Sequence, residues 1–300
     1  MRAMSNYHPV TLFLFYFGTF ILIMSIQSLI LAIGCLTMLV LINKGQDPRF
    51  RVFSFFIHQG WMSFVILVIN VLMNHRGTHP LFYLGKNPIM LEAVIRGLIM
   101  GASILCLILI FTSLNLILTT GKILFLFGKV VPRFTLLTVI TLRFMPLLRK
   151  RFIEIKHVQD MKGLSITTGH FRKRLRHGIM LIQLLLTFSL EEALQTADSM
   201  ESRGFGLDRK RTSYVSYRFD RKDTFWCLIF FGLILMYVIL QRQFYPDTPF
   251  FGYTMITLDD SLFPKGQAIW LLILSLTYFS CPFFIEGRER IRWYFYKLKT

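Results

Sequence analysis

Long apolar runs constrain this 300-residue chain more than any other feature. A helix rises about 1.5 Å per residue, so roughly 20 apolar residues cross the ~30 Å hydrocarbon layer of a bilayer. Residues 52–73, 90–118, 224–241 and 267–285 reach or approach that length. Residues 10–43 form a fifth run, long for one span and short for two. The polar cluster Ser25, Gln27 and Ser28 in its middle predicts a tight helical hairpin, which makes six spans in all. Backbone inside lipid must satisfy its own hydrogen bonds. The expected fold class is therefore an all-α integral membrane protein, with about six transmembrane helices plus long amphipathic cytoplasmic helices. Composition agrees, with 54% hydrophobic residues and a mean hydropathy of +0.55.

Charge tests the span count. The net charge is +18, from 34 Lys and Arg against 16 Asp and Glu. In a soluble chain that excess points to nucleic acid. In a membrane protein it marks cytoplasmic loops. With the N-terminus inside, the inner loops are 44–51, 119–222 and 286–300. They carry Lys44, Arg49 and Arg51; then 20 Lys and Arg; then Arg288, Arg290, Arg292, Lys297 and Lys299. The outer loops 74–89 and 242–266 hold two basic residues each. That bias fits six spans with both termini cytoplasmic. A single span at 10–43 would put the N-terminus outside and leave the other loops in place. The chain divides into N-terminal transmembrane helices (1–118), a cytoplasmic helical region (119–222) and C-terminal transmembrane helices (223–300).

The middle region is basic yet too apolar to be disordered. It predicts two long helices on or dipping into the membrane face. Pro132 suits the first turn of a helix running to about residue 162, with Pro146 as a kink and Gly163 as its end. A second helix covers roughly 171–202. Its apolar middle, Ile179 to Leu190, is too short to span. Its last part carries Leu190, Ala193, Leu194, Ala197 and Met200 as one stripe at helical spacing, with Glu191, Glu192, Gln195 and Asp198 off it. Gly204 and Gly206 stop it.

The two helices end alike. Met161-Lys162-Gly163 closes the first and Ser202-Arg203-Gly204 the second, each with a cation one residue before a glycine. Such ends read in two ways. Glycine permits the left-handed residue that closes a helix, and the cation sits well against the negative end of the helix dipole. Alternatively, two exposed cations at rigid tips form a docking face for a cytoplasmic partner. Repetition of the pattern favours the second reading.

Other chemistries are weakly represented. Cys35, Cys106, Cys227 and Cys281 lie inside apolar runs and read as packing residues. Ala32-Ile33-Gly34-Cys35 faintly resembles a lipoprotein box, but the apolar run continues beyond it, so no cleaved signal is expected. Gly163 to His170 departs from a phosphate loop in both spacing and its missing lysine, so any ATPase is another chain. His75 and His79 have helical metal-ligand spacing, but Gly77 and Pro80 argue against a helix there, and no metal or other cofactor is expected. Glu92 and Arg96 are four apart and predict a helical ion pair. A membrane-embedded enzyme acting on a lipid-linked substrate is the main alternative. It would need acidic or histidine clusters at one membrane face, where this chain has basic ones. A polybasic scaffold for nucleic acid or anionic lipid is a weaker one, since topology accounts for most of the charge.

Ala197-Asp198-Ser199-Met200-Glu201-Ser202-Arg203-Gly204-Phe205-Gly206 resembles the second coupling-helix motif of the transmembrane T component (EcfT/CbiQ-like) of energy-coupling factor transporters, bacterial importers of vitamins and transition-metal ions. His8-Pro9, Asn74-His75-Arg76-Gly77, Leu81-Phe82-Tyr83, Leu142-Arg143-Phe144-Met145-Pro146 and Arg211-Thr212-Ser213-Tyr214 agree in order along the chain. The family's first motif usually has arginine where this chain has Lys162. Lysine keeps the charge and loses the planar fork. The resemblance implies a non-catalytic subunit between two ATP-binding cassette ATPase subunits and a separate membrane-embedded substrate-binding S component. Met161, Lys162, Gly163, Ser202, Arg203 and Gly204 would engage the ATPases. Leu190, Leu194, Ala197 and Met200 would face the S component. The implied partners are these proteins and the bilayer, with no nucleic acid, and the implied activity is uptake of a vitamin or other micronutrient.

Overall fold

The computed structural model describes residues 7–47, 50–74, 79–84, 87–128, 130–164, 170–205, 217, 219–244 and 269–299. Among these, the elements in order are α1 (Pro9–Met24), α2 (Leu29–Gln46), α3 (Val52–Met73), β1 (Pro80–Leu84), β2 (Asn87–Met90), α4 (Leu91–Ile117), α5 (Thr120–Gly128), α6 (Pro132–Met161), α7 (Phe171–Ser202), α8 (Arg221–Phe244) and α9 (Ile269–Lys299). The fold is that of an all-α integral membrane protein. Its chain forms two compact units, one of residues 1–123 with 217–300 and one of residues 124–216. The division falls inside α5.

In the first unit, run 10–43 is two helices. Ser25 ends α1: its N–H and Oγ both donate to the Ile21 carbonyl, at 3.2 and 3.1 Å. The hydroxyl also reaches Tyr237 Oη of α8 at 3.1 Å. A side chain that bonds its own backbone competes with helix continuation, which is why the chain turns here. Helix α1 packs on α4 and α8, α2 on α4 and α9, α3 on α4, and α8 on α9. The core is aromatic where α1, α8 and α9 meet. Phe15 stacks on Tyr278 at 5.4 Å between centroids, and Phe230 tilts against both. The Tyr278 hydroxyl donates to the Phe15 carbonyl at 2.8 Å, so the polar tip of a fully buried ring is satisfied.

Polar contacts tie distant segments in this unit. Tyr16 Oη, Ser113 Oγ and Gln46 Oε1 form a chain with 2.8 Å links across α1, α4 and α2. The buried Asp223 carboxylate in the first turn of α8 accepts the Asp220 N–H at 3.1 Å and the His8 N–H at 3.0 Å. It thereby caps α8 and anchors the start of α1, where His8 Nδ1 in turn accepts the Val10 N–H at 3.3 Å. The Lys122 ammonium donates to the Ile117 carbonyl at 3.2 Å, which closes the C-terminus of α4. The only strands among the described residues are β1 and β2, an antiparallel pair with Phe82 opposite Ile89 and Leu84 opposite Asn87. From sequence, residues 74–89 are expected only as an outer loop, because the pairing of the two short strands leaves no periodic signal in either one.

Six described helices are long and apolar enough to cross a membrane: α2, α3, α4, α7, α8 and α9. Helix α1, with 16 residues, is about 24 Å long and falls short. Helix α7 qualifies where the sequence reading expected too short an apolar middle. Every stretch of 18 residues in α7 with no more than two charges includes both Glu191 and Glu192. Two adjacent carboxylates inside lipid are costly. Length and composition alone therefore overstate α7 as a span.

Candidate functional site

The second unit holds the two basic helices. Pro132 takes the first turn of α6, as expected, and α6 runs 30 residues past Pro146 to Met161. Helix α7 occupies Phe171–Ser202, the bounds expected from the sequence. The two pack together. His177 and Leu181 of α7 and Gln159 of α6 are buried.

Both helices close with the same hydrogen-bond pattern. At α6, the Leu164 N–H donates to the Gln159 carbonyl at 2.9 Å and the Gly163 N–H to the Asp160 carbonyl at 3.1 Å. At α7, the Phe205 N–H donates to the Met200 carbonyl at 3.0 Å and the Gly204 N–H to the Glu201 carbonyl at 2.8 Å. These paired bonds define the Schellman cap. The cap needs a left-handed residue at the glycine, and Gly163 and Gly204 have φ of +75° and +76°, the only positive values among the described residues. Lys162 and Arg203 occupy the cap position itself, with φ,ψ of −80°, 5° and −84°, 9°.

Capping therefore accounts for the glycines, and it leaves the cations free. Lys162 and Arg203 are exposed, and among the described residues neither side chain makes a hydrogen bond or ion pair. Their neighbours Met161 and Ser202 are exposed too; Met161 is 81% accessible, high for a large apolar side chain. Ser202 Oγ donates back to the Ser199 carbonyl at 3.0 Å. Each tip thus presents a cation whose backbone is fixed by two hydrogen bonds. Arg203 can grip a carboxylate through two parallel N–H donors, whereas Lys162 offers a point charge. No hydrogen bond joins one tip to the other among the described residues.

The stripe on α7 is exposed as well. Leu190 and Leu194 are 66% and 60% accessible, Ala193 and Ala197 are exposed, and Met200 is half-buried. The stripe is longer than the sequence reading assigned. Leu175, Ile179, Ile182 and Leu186 continue it upstream at spacings of three and four, all exposed. The signal lies in the spacing, where the charges of Arg172, Lys173, Arg174 and Arg176 obscure its start. Hydroxyls on α7 are turned inward onto its own backbone: Thr187 to Gln183 O at 3.0 Å, Ser189 to Leu185 O at 2.6 Å and Thr196 to Glu192 O at 2.8 Å. Satisfied hydroxyls cost little against lipid or another apolar helix.

Of the remaining segments singled out by sequence, Leu142–Pro146 lies inside α6 and Leu81–Tyr83 inside β1. Residues 75–77, Gly206 and 211–214 lie outside the described residues. His79, whose spacing from His75 is discounted as a metal pair because of Gly77 and Pro80, donates its backbone N–H to Glu92 Oε1 at 3.2 Å. Glu92 also acts electrostatically on Arg96.

Residues 2–214 match the family described as cobalt transport protein (CbiQ). Similar proteins named "Energy-coupling factor transporter transmembrane protein EcfT" include that of Leuconostoc gelidum subsp. gasicomitatum, 30% identical over 193 residues, which cover 60% of this chain and 71% of that protein. The protein of that name from Listeria innocua is 30% identical over 200 residues, with 62% and 69% covered. That of Macrococcus caseolyticus is 26% identical over 227 residues, with 70% and 83% covered.

Proposed function

Because the chain belongs to the CbiQ family of transmembrane T components of energy-coupling factor transporters, we propose that it couples ATP-driven motion of two ATPase subunits to a separate S component. The observation that carries this reading is the pair of matching tips. Lys162 and Arg203 are the exposed cations of two capped helices, and nothing among the described residues occupies them. An acidic groove on each ATPase would receive one tip, with Met161, Gly163, Ser202 and Gly204 shaping the contact. A fixed helix end transmits displacement because its backbone cannot fray when pushed. The S component would lie on the stripe Leu190, Leu194, Ala197 and Met200 and reorient as α7 moves. The chain itself would catalyse nothing. Its cargo, a vitamin or other micronutrient, would be bound by the S component.

The same reading places both termini in the cytoplasm, with 1–118 and 223–300 as membrane helices around the coupling region 119–222. Reversing charge at one tip tests it. Arg203→Glu should abolish co-purification of the ATPases or substrate uptake while the chain still inserts and stays monodisperse in detergent. Arg203→Lys should retain part of both, since it keeps the charge without the fork. Normal assembly and uptake in Arg203→Glu would end the proposal.

A further inference from the structure

Helices α3 and α4 share a close contact and, beside it, a groove. A Cβ at Gly97 would stand 3.3 Å from the Cα and carbonyl oxygen of Leu67, and one at Gly101 would collide with Ser63 Oγ. Small residues spaced four apart let membrane helices approach in this way. The pairs Leu67–Gly97 and Ser63–Gly101 run in opposite directions, so the end of α3 lies along the start of α4. There, a groove of about 530 Å³ opens. Its apolar wall includes Ile69, Met73 and Met100; its polar part is Asn70, Asn74 and Arg96.

Arg96 is the unusual member. Among the described residues it makes no hydrogen bond and no ion pair within 4 Å, and only Glu92 acts on it electrostatically. The Glu92 oxygen Oε1 is already engaged by the His79 N–H. An ionisable side chain without a close partner in a spanning helix is costly and marks a functional position. Arg96 lies five residues into α4, so its stem reaches the level of lipid headgroups. In the same wall, Asn70 uses its Nδ2 on Met100 Sδ at 3.0 Å, and its Oδ1 is buried with no donor among the described residues. Among the described residues, a cation with no hydrogen bond or close ion pair and an acceptor with no donor thus line one groove with an apolar wall.

The occupant follows from what surrounds the groove. Helix α3 is long and apolar enough to span a membrane, buries no residue, and leaves Ile69 and Met73 exposed, so this side of α3 is open to lipid. A soluble anion would satisfy Arg96 and leave that wall uncovered. A lipid does both. We propose that the α3–α4 groove is a phospholipid site, in which Arg96 holds the lipid phosphate and Ile69, Met73 and Met100 hold an acyl chain. A guanidinium matches phosphate through paired N–H donors. This site is independent of the coupling reading and would stand if that reading failed.

Native mass spectrometry of the detergent-purified full chain, titrated with dioleoyl phosphatidylglycerol, tests it. Wild type should retain one lipid. Arg96→Gln should lower its occupancy about tenfold or more at equal lipid, the loss expected for a charge-assisted contact. Met73→Trp should also lower it by filling the groove with the charge intact, and at an exposed position it leaves folding undisturbed. Arg288→Gln, in a separate apolar groove between α2 and α9, should not change it. Excess inorganic phosphate should not displace the lipid. Unchanged retention in both Arg96→Gln and Met73→Trp would overturn the proposal. Displacement by phosphate, or by a co-purifying protein, would overturn it in favour of a simple anion site or a protein partner's carboxylate.

Discussion

Alanine at Gly163 isolates the cost of the left-handed cap. A Cβ added there meets nothing within 4 Å, so packing contributes nothing to the change. What remains is backbone strain at φ +75°. A non-glycine residue in the left-handed region costs about 1–2 kcal/mol. The closed cap should therefore become about 5–30-fold less favoured relative to a frayed end. Two amides report on it, those of residues 163 and 164, because their N–H groups donate to the Asp160 and Gln159 carbonyls. Hydrogen exchange of the chain in nanodiscs, resolved to this segment, should show both amides exchanging faster by about that factor. Gly163→Asn should recover most of the protection, since asparagine tolerates the left-handed region. The control is Gly178→Ala inside α7. Gly178 also has nothing within 4 Å of an added Cβ, but its φ is not positive. There the same substitution should stabilise α7, by about 0.5–1 kcal/mol. Equal exchange in wild type and Gly163→Ala, or slower exchange in the variant, would refute the claim that glycine conformation holds the tip.

Three further outcomes are expected. Leu194→Glu lies on the exposed stripe, so the chain should keep its thermal stability to within about 0.5 kcal/mol while losing the S component in pull-down; retention of the S component would remove the stripe from the interface. Asp223→Asn sets an amide against one of two backbone donors, His8 N–H or Asp220 N–H, and should cost about 1–3 kcal/mol in thermal unfolding. An unchanged melting temperature would mean the carboxylate contributes little to joining α1 and α8. Gly101→Val forces a methyl into Ser63 of α3 and should weaken cysteine cross-linking between α3 and α4; unaltered cross-linking would show that the helices tolerate the added width.

Features written in adjacent residues were legible in the sequence, and features made by distant ones were not. Run length, Ser25 and the cap glycines are local. Each acts through its own backbone, and so the α1–α2 hairpin, the bounds of α7 and the closing residues of both tips followed from pattern. The tip cations were legible for the same reason, because a cap is a six-residue motif. The extent of the α7 stripe was legible in principle and was obscured by the basic residues threaded through it.

Tertiary structure decided the rest. Asp223 and His8 are 215 residues apart, and nothing near either one names its partner. Gly97 and Gly101 state that something approaches closely without saying that it is Ser63 and Leu67. That Arg96 makes no hydrogen bond or ion pair within 4 Å among the described residues, with Glu92 acting on it only from further off, is likewise a fact of the packed chain. Helix formation in this chain is settled by hydrogen bonds within four residues and by apolar length. Which faces then meet depends on side-chain shape across helices, and only the packed chain specifies that.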